Sequence, residues 1–310
     1  MPKHDIVVIG ASSGGVEALQ ELVSQFPPGL PAAVFVVMHV YARTRSFLPE
    51  ILTRSGKLLA SHPADGERIE CGRIYVAPPD RHLLLEDHHM HLSMGPKEQH
   101  QRPCINVTFR SAALACGERV IGIVLTGSLD DGTAGLWEIK RKGGVAIVQN
   151  PEEASYPGMP LNALREIEAD YTSNLPDMGP LLLHLTRGDG ESRTTELERT
   201  NMDSQLTDLT CPDCRGTIWE VSKGKMSEYR CRVGHAYSAK TMLAEHSAAQ
   251  EKALYAAVVA LEEGASLARR LADKLQPDLG ERLRAEAGQR ASQAEVIRDI
   301  LRGRQSFSLE

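Results

Sequence analysis

The chain has 310 residues, of which 42% are hydrophobic and 25% are charged, and its formal net charge is −6. This composition is typical of a globular protein with room for one large domain and a smaller one. The mild negative charge gives no general electrostatic case for binding nucleic acid or an anionic membrane. No stretch reaches the length of a membrane span and the chain enters an apolar strand almost at once, so we expect neither membrane insertion nor a signal peptide.

Six cysteines are distributed unevenly along the chain. Three are scattered through the first half and three cluster later in the chain, at residues 211, 214 and 231. This pattern predicts a reducing, cytoplasmic location and one metal site, and it argues against a disulfide framework.

Short apolar segments alternate with helical segments through residues 1–187. The predicted strands are 6–9, 33–38, 73–77, 120–126 and 145–148, with a hairpin formed by 82–86 and 90–94. The predicted helices are 16–22, 45–55, 103–116, 133–142, 160–166 and 176–186. Such alternation predicts an α/β fold with a doubly wound, mostly parallel sheet flanked by helices.

The turn after the first strand carries two serines among glycines, in the sequence Gly-Ala-Ser-Ser-Gly-Gly of residues 10–15. Three interpretations compete. A phosphate-binding loop is disfavoured because neither the G-x-G-x-x-G fingerprint nor a following Walker lysine is present. The first five residues do fit G-x-S-x-G, the nucleophile elbow of esterases. A tight turn in which the serines cap the helix explains the segment equally simply, and the turn alone favours this last interpretation.

Ser12, His39 and Asp131 each follow the C-terminal end of a predicted strand. Ligands of doubly wound sheets bind beyond the carboxyl ends of the strands, so these side chains can converge at one edge. A serine nucleophile needs a base, and the base needs an acid to orient it. Individually, His39 could be a packing histidine and Asp131 a helix-starting residue, but their joint placement favours a catalytic triad.

The order Ser, His, Asp along the chain differs from that of ordinary α/β-hydrolases, in which the histidine comes last. Residues 5–187 resemble the catalytic domain of the chemotaxis receptor methylesterase, CheB. The motifs that carry the resemblance are, in order, Ile9–Gly15, Met38-His39, Ala77–His82, Arg102-Pro103, Leu125–Gly132, Gln149-Asn150 and Gly158–Pro160. The resemblance implies hydrolysis of glutamate γ-methyl esters on methyl-accepting chemoreceptors, with release of methanol and without a catalytic cofactor. It also implies deamidation of receptor glutamines as a second activity.

The resemblance places the family's nucleophile at Ser12, its base at His39 and its acid at Asp131. It also implies substrate-binding roles for Arg102 and Met159.

Backbone amides at the start of the first helix and near residue 128 are expected to stabilise the oxyanion. The corresponding pocket residues are Ser13, Gly14 and Ser128.

The sequence departs from the family pattern in several places. Ser13 stands where the family usually has threonine, and Ser128-Leu129 where it usually has Met-Gly. His100-Gln101 replaces the basic or histidine residues often found before the Arg-Pro motif, which changes the expected substrate contacts. The family's N-terminal receiver domain has no counterpart before the first strand, so we expect no gating by phosphorylation within the chain.

A polar segment, residues 188–207, predicts a linker. Residues 208–237 then contain a C-x₂-C pair and a C-x₃-H pair, a spacing typical of a tetrahedral structural zinc site. The predicted ligands are Cys211, Cys214, Cys231 and His235. A redox C-x-x-C motif is the alternative, but no thioredoxin-like unit surrounds it. The aromatic and β-branched residues between the pairs predict a small hairpin, which the metal would stabilise.

Residues 238–304 show two helical patterns, separated by Gln276-Pro277-Asp278. Apolar residues repeat at heptad-like spacing in both, which predicts an α-helical hairpin or a two-helix part of an oligomer. A small bundle packed beside the zinc module explains the pattern as well as a helix-mediated partner or dimer does.

Two functional hypotheses of different class follow. The first is a protein-glutamate methylesterase, acting on chemoreceptors or on another methylated signalling protein. The second is a catalytically silent signalling adaptor that works by binding through its C-terminal helices. The retained Ser12, His39 and Asp131 favour the enzyme, because an adaptor needs none of them.

Overall fold

The computed structural model describes residues 4–40, 45–188, 203–223 and 226–303. The chain divides into two compact units, residues 1–242 and 243–310. Most of the predicted linker, residues 188–207, lies outside the described residues.

The fourteen strands are β1 (Ile6–Ala11), β2 (Ala33–Met38), β3 (Leu59–Ser61), β4 (Glu67–Arg68), β5 (Arg73–Val76), β6 (His82–Glu86), β7 (His89–Ser93), β8 (Val120–Val124), β9 (Val145–Gln149), β10 (Tyr171–Ser173), β11 (Asp203–Thr210), β12 (Thr217–Lys223), β13 (Met226–Cys231) and β14 (Ala236–Ser238). The eight α-helices are α1 (Gly15–Ser24), α2 (Leu48–Ser55), α3 (Ile105–Cys116), α4 (Thr133–Arg141), α5 (Gly158–Glu166), α6 (Leu175–Arg187), α7 (Ala239–Ala272) and α8 (Pro277–Gly303).

The central sheet has seven strands in the order β10-β9-β8-β1-β2-β5-β3, and all its pairings are parallel. The predicted parallel α/β sheet is therefore confirmed. The sequence prediction lacked β3 and β10, the three-residue strands at the two edges of the sheet, because segments as short as Leu-Ala-Ser and Tyr-Thr-Ser carry no apolar run.

Both faces of the central sheet are covered, which explains why its strands are almost continuously apolar. Val7 and Ile9 of β1 pack on one face with Leu22 of α1 and with residues of α2 and α6. Val8 points to the opposite face and packs with Phe109 of α3 and with residues of α4 and α5.

Strand β1 lies between β8 and β2. Strands β2, β5 and β3 extend the sheet on one side of β1, and strands β8, β9 and β10 extend it on the other side. Ala11 pairs with Met38 and Gly10 with Val124, so these three strands end at nearly the same level. Residues that follow the three strand ends are thereby brought to one edge of the sheet, at its switch point.

Two helices begin later than the sequence predicted. Helix α2 begins at Leu48, and Pro49 occupies its first turn, where proline is tolerated. Helix α3 begins at Ile105, because Cys104 has an extended backbone conformation.

Residues 203–238 form an antiparallel sheet in the order β11-β12-β13-β14, which we call the C-terminal sheet. It is larger than the predicted hairpin and includes residues 203–207 of the predicted linker. Cys211, Ile218 and Tyr237 form a small apolar core. This sheet belongs to the same compact unit as the α/β part.

The second compact unit contains most of α7 and all of α8. Ala265 and Ala268 of α7 pack against Ala287 of α8, and Arg298 forms an ion pair with Glu262 across the two helices. These contacts support the predicted helical hairpin, whose small side chains allow close approach. No helix in the described part of the chain is both long and apolar enough to cross a membrane.

Candidate active site

Ser12, His39 and Asp131 form a continuous hydrogen-bonded series at the switch point. His39 Nε2 lies 2.7 Å from Asp131 Oδ2, and His39 Nδ1 lies 3.0 Å from Ser12 Oγ. Because a carboxylate can only accept, Nε2 carries the proton and Nδ1 is left to accept the Ser12 hydroxyl. The two ring nitrogens are exchanged relative to the serine proteases, in which Nε2 faces the serine.

The turn that carries Ser12 is held from the neighbouring strand end. Ser12 N–H donates to the Thr126 carbonyl at 3.0 Å, and Thr126 Oγ1 donates to the Ser13 carbonyl at 3.0 Å. Gly14 has a φ of 71°, a left-handed conformation that glycine adopts without strain. A Cβ on Gly127 would lie 2.9 Å from Ser12 Cβ, so only glycine fits beside Ser12.

Asp131 is buried and accepts hydrogen bonds from both sides. Oδ1 accepts from the amides of Asn106 at 3.0 Å and Gly132 at 2.9 Å, and from the Cys104 thiol at 3.2 Å. Oδ2 accepts from the Ile105 amide at 2.8 Å in addition to His39.

The carboxylate therefore occupies the N-terminus of α3, where free amides favour negative charge. Burial on its own would raise the pKa of Asp131, but the bonds from His39 and from the amides of Ile105 and Asn106 outweigh it and lower that pKa. The acid is thus held ionised beside the imidazole.

Cys104 and Asn106 are site residues that the sequence prediction missed. Asn106 Oδ1 accepts from Gly132 N–H at 3.1 Å and Gly135 N–H at 2.7 Å, which fixes the turn after Asp131. Both residues directly follow the Arg-Pro motif, at the start of the predicted helix 103–116, but the sequence does not show that this helix end faces Asp131.

The predicted oxyanion residues lie on the two turns that border Ser12. Ser13 and Gly14 lead into α1, and Ser128 follows Gly127. The amides of Ser12 and Gly127 already donate to Thr126 and Tyr156 carbonyls. The amides of Ser13, Gly14 and Ser128 stay the predicted hydrogen-bond donors to the oxyanion.

The two predicted substrate-binding residues have internal contacts. Arg102 donates twice to Asp80 Oδ1, at 2.9 and 2.7 Å, and also to the carbonyls of Met94 and Gly95. Met159 is fully buried in the core and would collide through its sulfur with a side chain at residue 127. A direct substrate contact by either residue stays a prediction.

The four predicted metal ligands converge in the C-terminal sheet. Cys211, Cys214, Cys231 and His235 each offer one ligand atom, and all four atoms lie within 4.8 Å of one another. Cys214 Sγ lies 3.7 Å from Cys231 Sγ, and Cys231 Sγ lies 3.4 Å from His235 Nδ1. We call these four residues the Cys–His cluster, and they can hold a metal ion.

A Ser–His–Asp series at the switch point of a parallel α/β sheet has the geometry of a serine hydrolase. The family model described as CheB methylesterase matches residues 7–182. The chain therefore belongs to the CheB methylesterase family.

Several relatives agree with this membership. A protein-glutamate methylesterase/protein-glutamine glutaminase of Methanosarcina acetivorans is 38% identical over 59% of this chain and 53% of its own length. A Leptospira interrogans relative, to which the same name is given provisionally, is 33% identical over 61% of this chain and 99% of its own length. The crystal structure of the Thermotoga maritima CheB methylesterase catalytic domain is 31% identical, with a TM-score of 0.57, over 59% of this chain and 98% of that one.

Proposed function

We propose that this protein hydrolyses glutamate γ-methyl esters on methyl-accepting chemoreceptors and releases methanol. The observation that carries the proposal is the placement of His39 between Ser12 and Asp131 at 3.0 and 2.7 Å, in a chain of the CheB methylesterase family. The names of the relatives support a protein-glutamate methylesterase and add a protein-glutamine glutaminase activity. The cytoplasmic location that we predict fits this substrate class.

In the proposed mechanism, Ser12 Oγ attacks the ester carbonyl while His39 Nδ1 takes its proton. Asp131 stabilises the resulting imidazolium through Nε2–H. The imidazolium then protonates the departing methoxide, which leaves as methanol and gives an acyl-serine. Water attacks this ester with His39 again as base, which releases the glutamate carboxylate and restores Ser12.

The negative oxygen of each tetrahedral intermediate would be stabilised by the amides of Ser13, Gly14 and Ser128. Loss of such a donor typically lowers the rate about a hundredfold or more. A glutamine substrate would follow the same steps, with ammonia in place of methanol as the leaving group.

The test is methanol release from methylated chemoreceptor membranes by the wild-type chain and by Ser12→Ala. We expect the substitution to lower kcat by about 10³-fold or more, because triad members act as one unit. An exposed serine, Ser247, whose hydroxyl donates only to the preceding turn of α7, provides the matched control Ser247→Ala. Full activity of Ser12→Ala would refute the mechanism. No release by the wild-type chain would favour a different methylated protein as substrate or the adaptor hypothesis.

We further propose that the Cys–His cluster binds a structural Zn²⁺. Tetrahedral zinc with Zn–S bonds of about 2.3 Å separates its sulfur ligands by about 3.8 Å, and Cys214 and Cys231 are 3.7 Å apart. Four protein ligands leave no open position for substrate, so the ion would support folding and not catalysis.

Metal content distinguishes this site from a redox C-x-x-C pair. We expect about one zinc per chain, as for a four-ligand structural site, and loss of most of it in Cys214→Ser. Cys71→Ser, which changes an exposed cysteine outside the cluster, should leave the metal content unchanged. A metal-free chain in which Cys211 and Cys214 form a disulfide would overturn the assignment in favour of the redox alternative.

The helical hairpin carries exposed apolar side chains, among them Tyr255, Val259 and Leu267. A helix-mediated partner or dimer through residues 238–304 therefore stays a proposal. Sedimentation of the full chain would test the dimer, and a concentration-independent monomer would refute it.

A further inference from the structure

Two loops of the α/β part together determine the position of the Asp131 carboxylate. The first, residues 127–132, carries Asp131 between β8 and α4. The second, residues 98–106, runs into α3 and supplies the amides of Ile105 and Asn106 that bind the carboxylate at 2.8 and 3.0 Å. Because the carboxylate is bonded to both, the spacing between the loops controls its distance from His39.

Ser238, the last residue of β14, is bonded to both loops at once. Its amide donates to Gln99 Oε1 at 3.1 Å, on the second loop. Its hydroxyl donates to Asp130 Oδ1 at 2.9 Å, on the first loop and next to Asp131. The segment around it adds a backbone bond from Gln99 N–H to the Ala236 carbonyl at 2.7 Å and a longer bond from Thr241 to Asp130 at 3.3 Å.

A parallel connection reaches the first loop from the start of α7. Lys240 bonds Asn162 Oδ1, and Asn162 Nδ2 donates to the Leu129 carbonyl at 2.6 Å. Leu129 has a φ of 63°, which is uncommon for a leucine and needs support from its surroundings.

Asp130 is half-buried, and its carboxylate depends on these donors. Burial raises the pKa of Asp130, and the hydrogen bonds from Ser238 and Thr241 oppose that effect. Without the Ser238 hydroxyl, this half-buried carboxylate would lose a short bond and the loop would shift to find water or another donor.

The last ligand of the Cys–His cluster, His235, lies three residues before Ser238, at the start of the segment that forms β14. Cys231 N–H donates to the His235 carbonyl at 3.0 Å, at the turn that leads into β14. Within the C-x₂-C turn, Asp213 lies 3.3 Å from His100 of the second loop and accepts from the Tyr237 hydroxyl at 2.8 Å. The C-x₂-C turn is therefore bonded to the second loop and to Tyr237, the residue before Ser238. The turn between Cys231 and His235 leads directly into β14.

A mostly buried ion-pair group ties the C-terminal sheet to α3 near the same place. Arg110 donates to both oxygens of Glu98, at 3.0 and 2.9 Å, and lies 3.5 Å from Glu228 of β13. The sheet therefore has a fixed position against the loops, which a positioning role requires.

We propose that Ser238 is a positioning residue for the catalytic acid, acting on Asp131 through Asp130 and Gln99, and that metal binding at the Cys–His cluster keeps it in position. This inference rests on the proposed methylesterase function. Asp131 keeps its bonds from the Cys104 thiol and from the amides of Ile105 and Asn106 when Ser238 is changed. The Ser238 contact therefore adjusts the position of an acid that α3 already binds, and its loss should lower the rate without abolishing it.

The first experiment compares methanol release by Ser238→Ala, Ser238→Thr and the control Ser247→Ala in the full chain. We expect Ser238→Ala to lower kcat about tenfold with KM unchanged, since a misplacement of about 1 Å costs about a hundredfold and the acid, still bound by α3, should move by less. Ser238→Thr keeps a hydroxyl donor and should restore most of the rate. A Ser238→Ala kcat within about twofold of wild type, or an equal loss in the control, would overturn the proposal.

Hydrogen–deuterium exchange gives a readout that does not depend on activity. In Ser238→Ala we expect faster exchange in peptides covering 104–107 and 127–132, with β1 unchanged. Removal of the metal from the wild-type chain with a chelator should accelerate the same two peptides, and added Zn²⁺ should reverse the effect. Unchanged exchange in both peptides after metal removal would refute the proposed link to the cluster, even if Ser238→Ala were too unstable to study. If the wild-type chain released no methanol, the methylesterase proposal would fail while exchange still tested the coupling.

Discussion

Asp131→Asn tests the tautomer that the site geometry imposes on His39. The amide has the size of the carboxylate, and its oxygen is best placed at Oδ1, where the Asn106 and Gly132 amides and the Cys104 thiol converge. Its NH₂ group then faces His39 Nε2, which must give up its proton to accept. Nδ1 becomes protonated and can no longer take the proton of Ser12.

The same substitution in serine proteases lowers kcat by about 10⁴-fold for this reason, which corresponds to about 5 kcal/mol in the activation barrier. The Ile105 amide also loses its acceptor, because it now faces an NH₂ group instead of Oδ2. A buried unsatisfied donor costs about 1–3 kcal/mol, so the free energy of unfolding should fall by that amount.

Methanol release and urea-induced unfolding measure the two effects separately. Asp87→Asn is a matched control, since Asp87 is exposed in the β6–β7 turn with a φ of 44°, a conformation that asparagine accepts. Asp131→Asn activity above roughly a tenth of wild type would refute the tautomer argument. Unchanged stability would show that the Ile105 amide finds another partner.

Three further outcomes are expected. Because the pKa of Asp131 is lowered in the folded chain, its contribution to stability is complete above the unfolded value of about 3.9 and is lost as pH falls through the folded pKa. The difference in unfolding free energy between wild type and Asp131→Asn should therefore shrink as the pH is lowered below about 4, and a constant difference would contradict the shift. Gly127→Ala places a Cβ against Met159 and 2.9 Å from Ser12 Cβ. The free energy of unfolding should therefore fall by about 1–3 kcal/mol, and methanol release should fall with it. Unaltered activity would show that the turns carrying Ser12 and Gly127 move apart freely. Gly288→Ala lies in an exposed part of α8 with open space around the new methyl group, and thermal unfolding should show a gain of up to about 1 kcal/mol, whereas a loss would indicate a contact on that face.

The pattern of the sequence predicted the α/β sheet because the evidence for it is local. Buried parallel strands must be apolar along their whole length, as in Val120–Val124, and glycine or proline separates them from the helices. The three-residue strand β10 lacks that signal, and only its pairing with β9 defines it.

The same pattern brought Ser12, His39 and Asp131 to one edge of the sheet, since each follows a strand end and parallel strands share their carboxyl edge. The motif order then indicated the family. The C-x₂-C and C-x₃-H spacings likewise predicted which four residues would converge, because tetrahedral coordination requires paired ligands on two turns.

Only the tertiary structure showed how the acid is held. Cys104, Ile105 and Asn106 meet Asp131 across about 25 residues of sequence, and Ser238 meets Asp130 across 108. No local pattern encodes such pairs, because a hydrogen bond between distant segments depends on how elements pack and not on the residues beside it. The sequence alone determined which residues could perform the chemistry, and the packing of α3 and the C-terminal sheet decided which groups hold them in place.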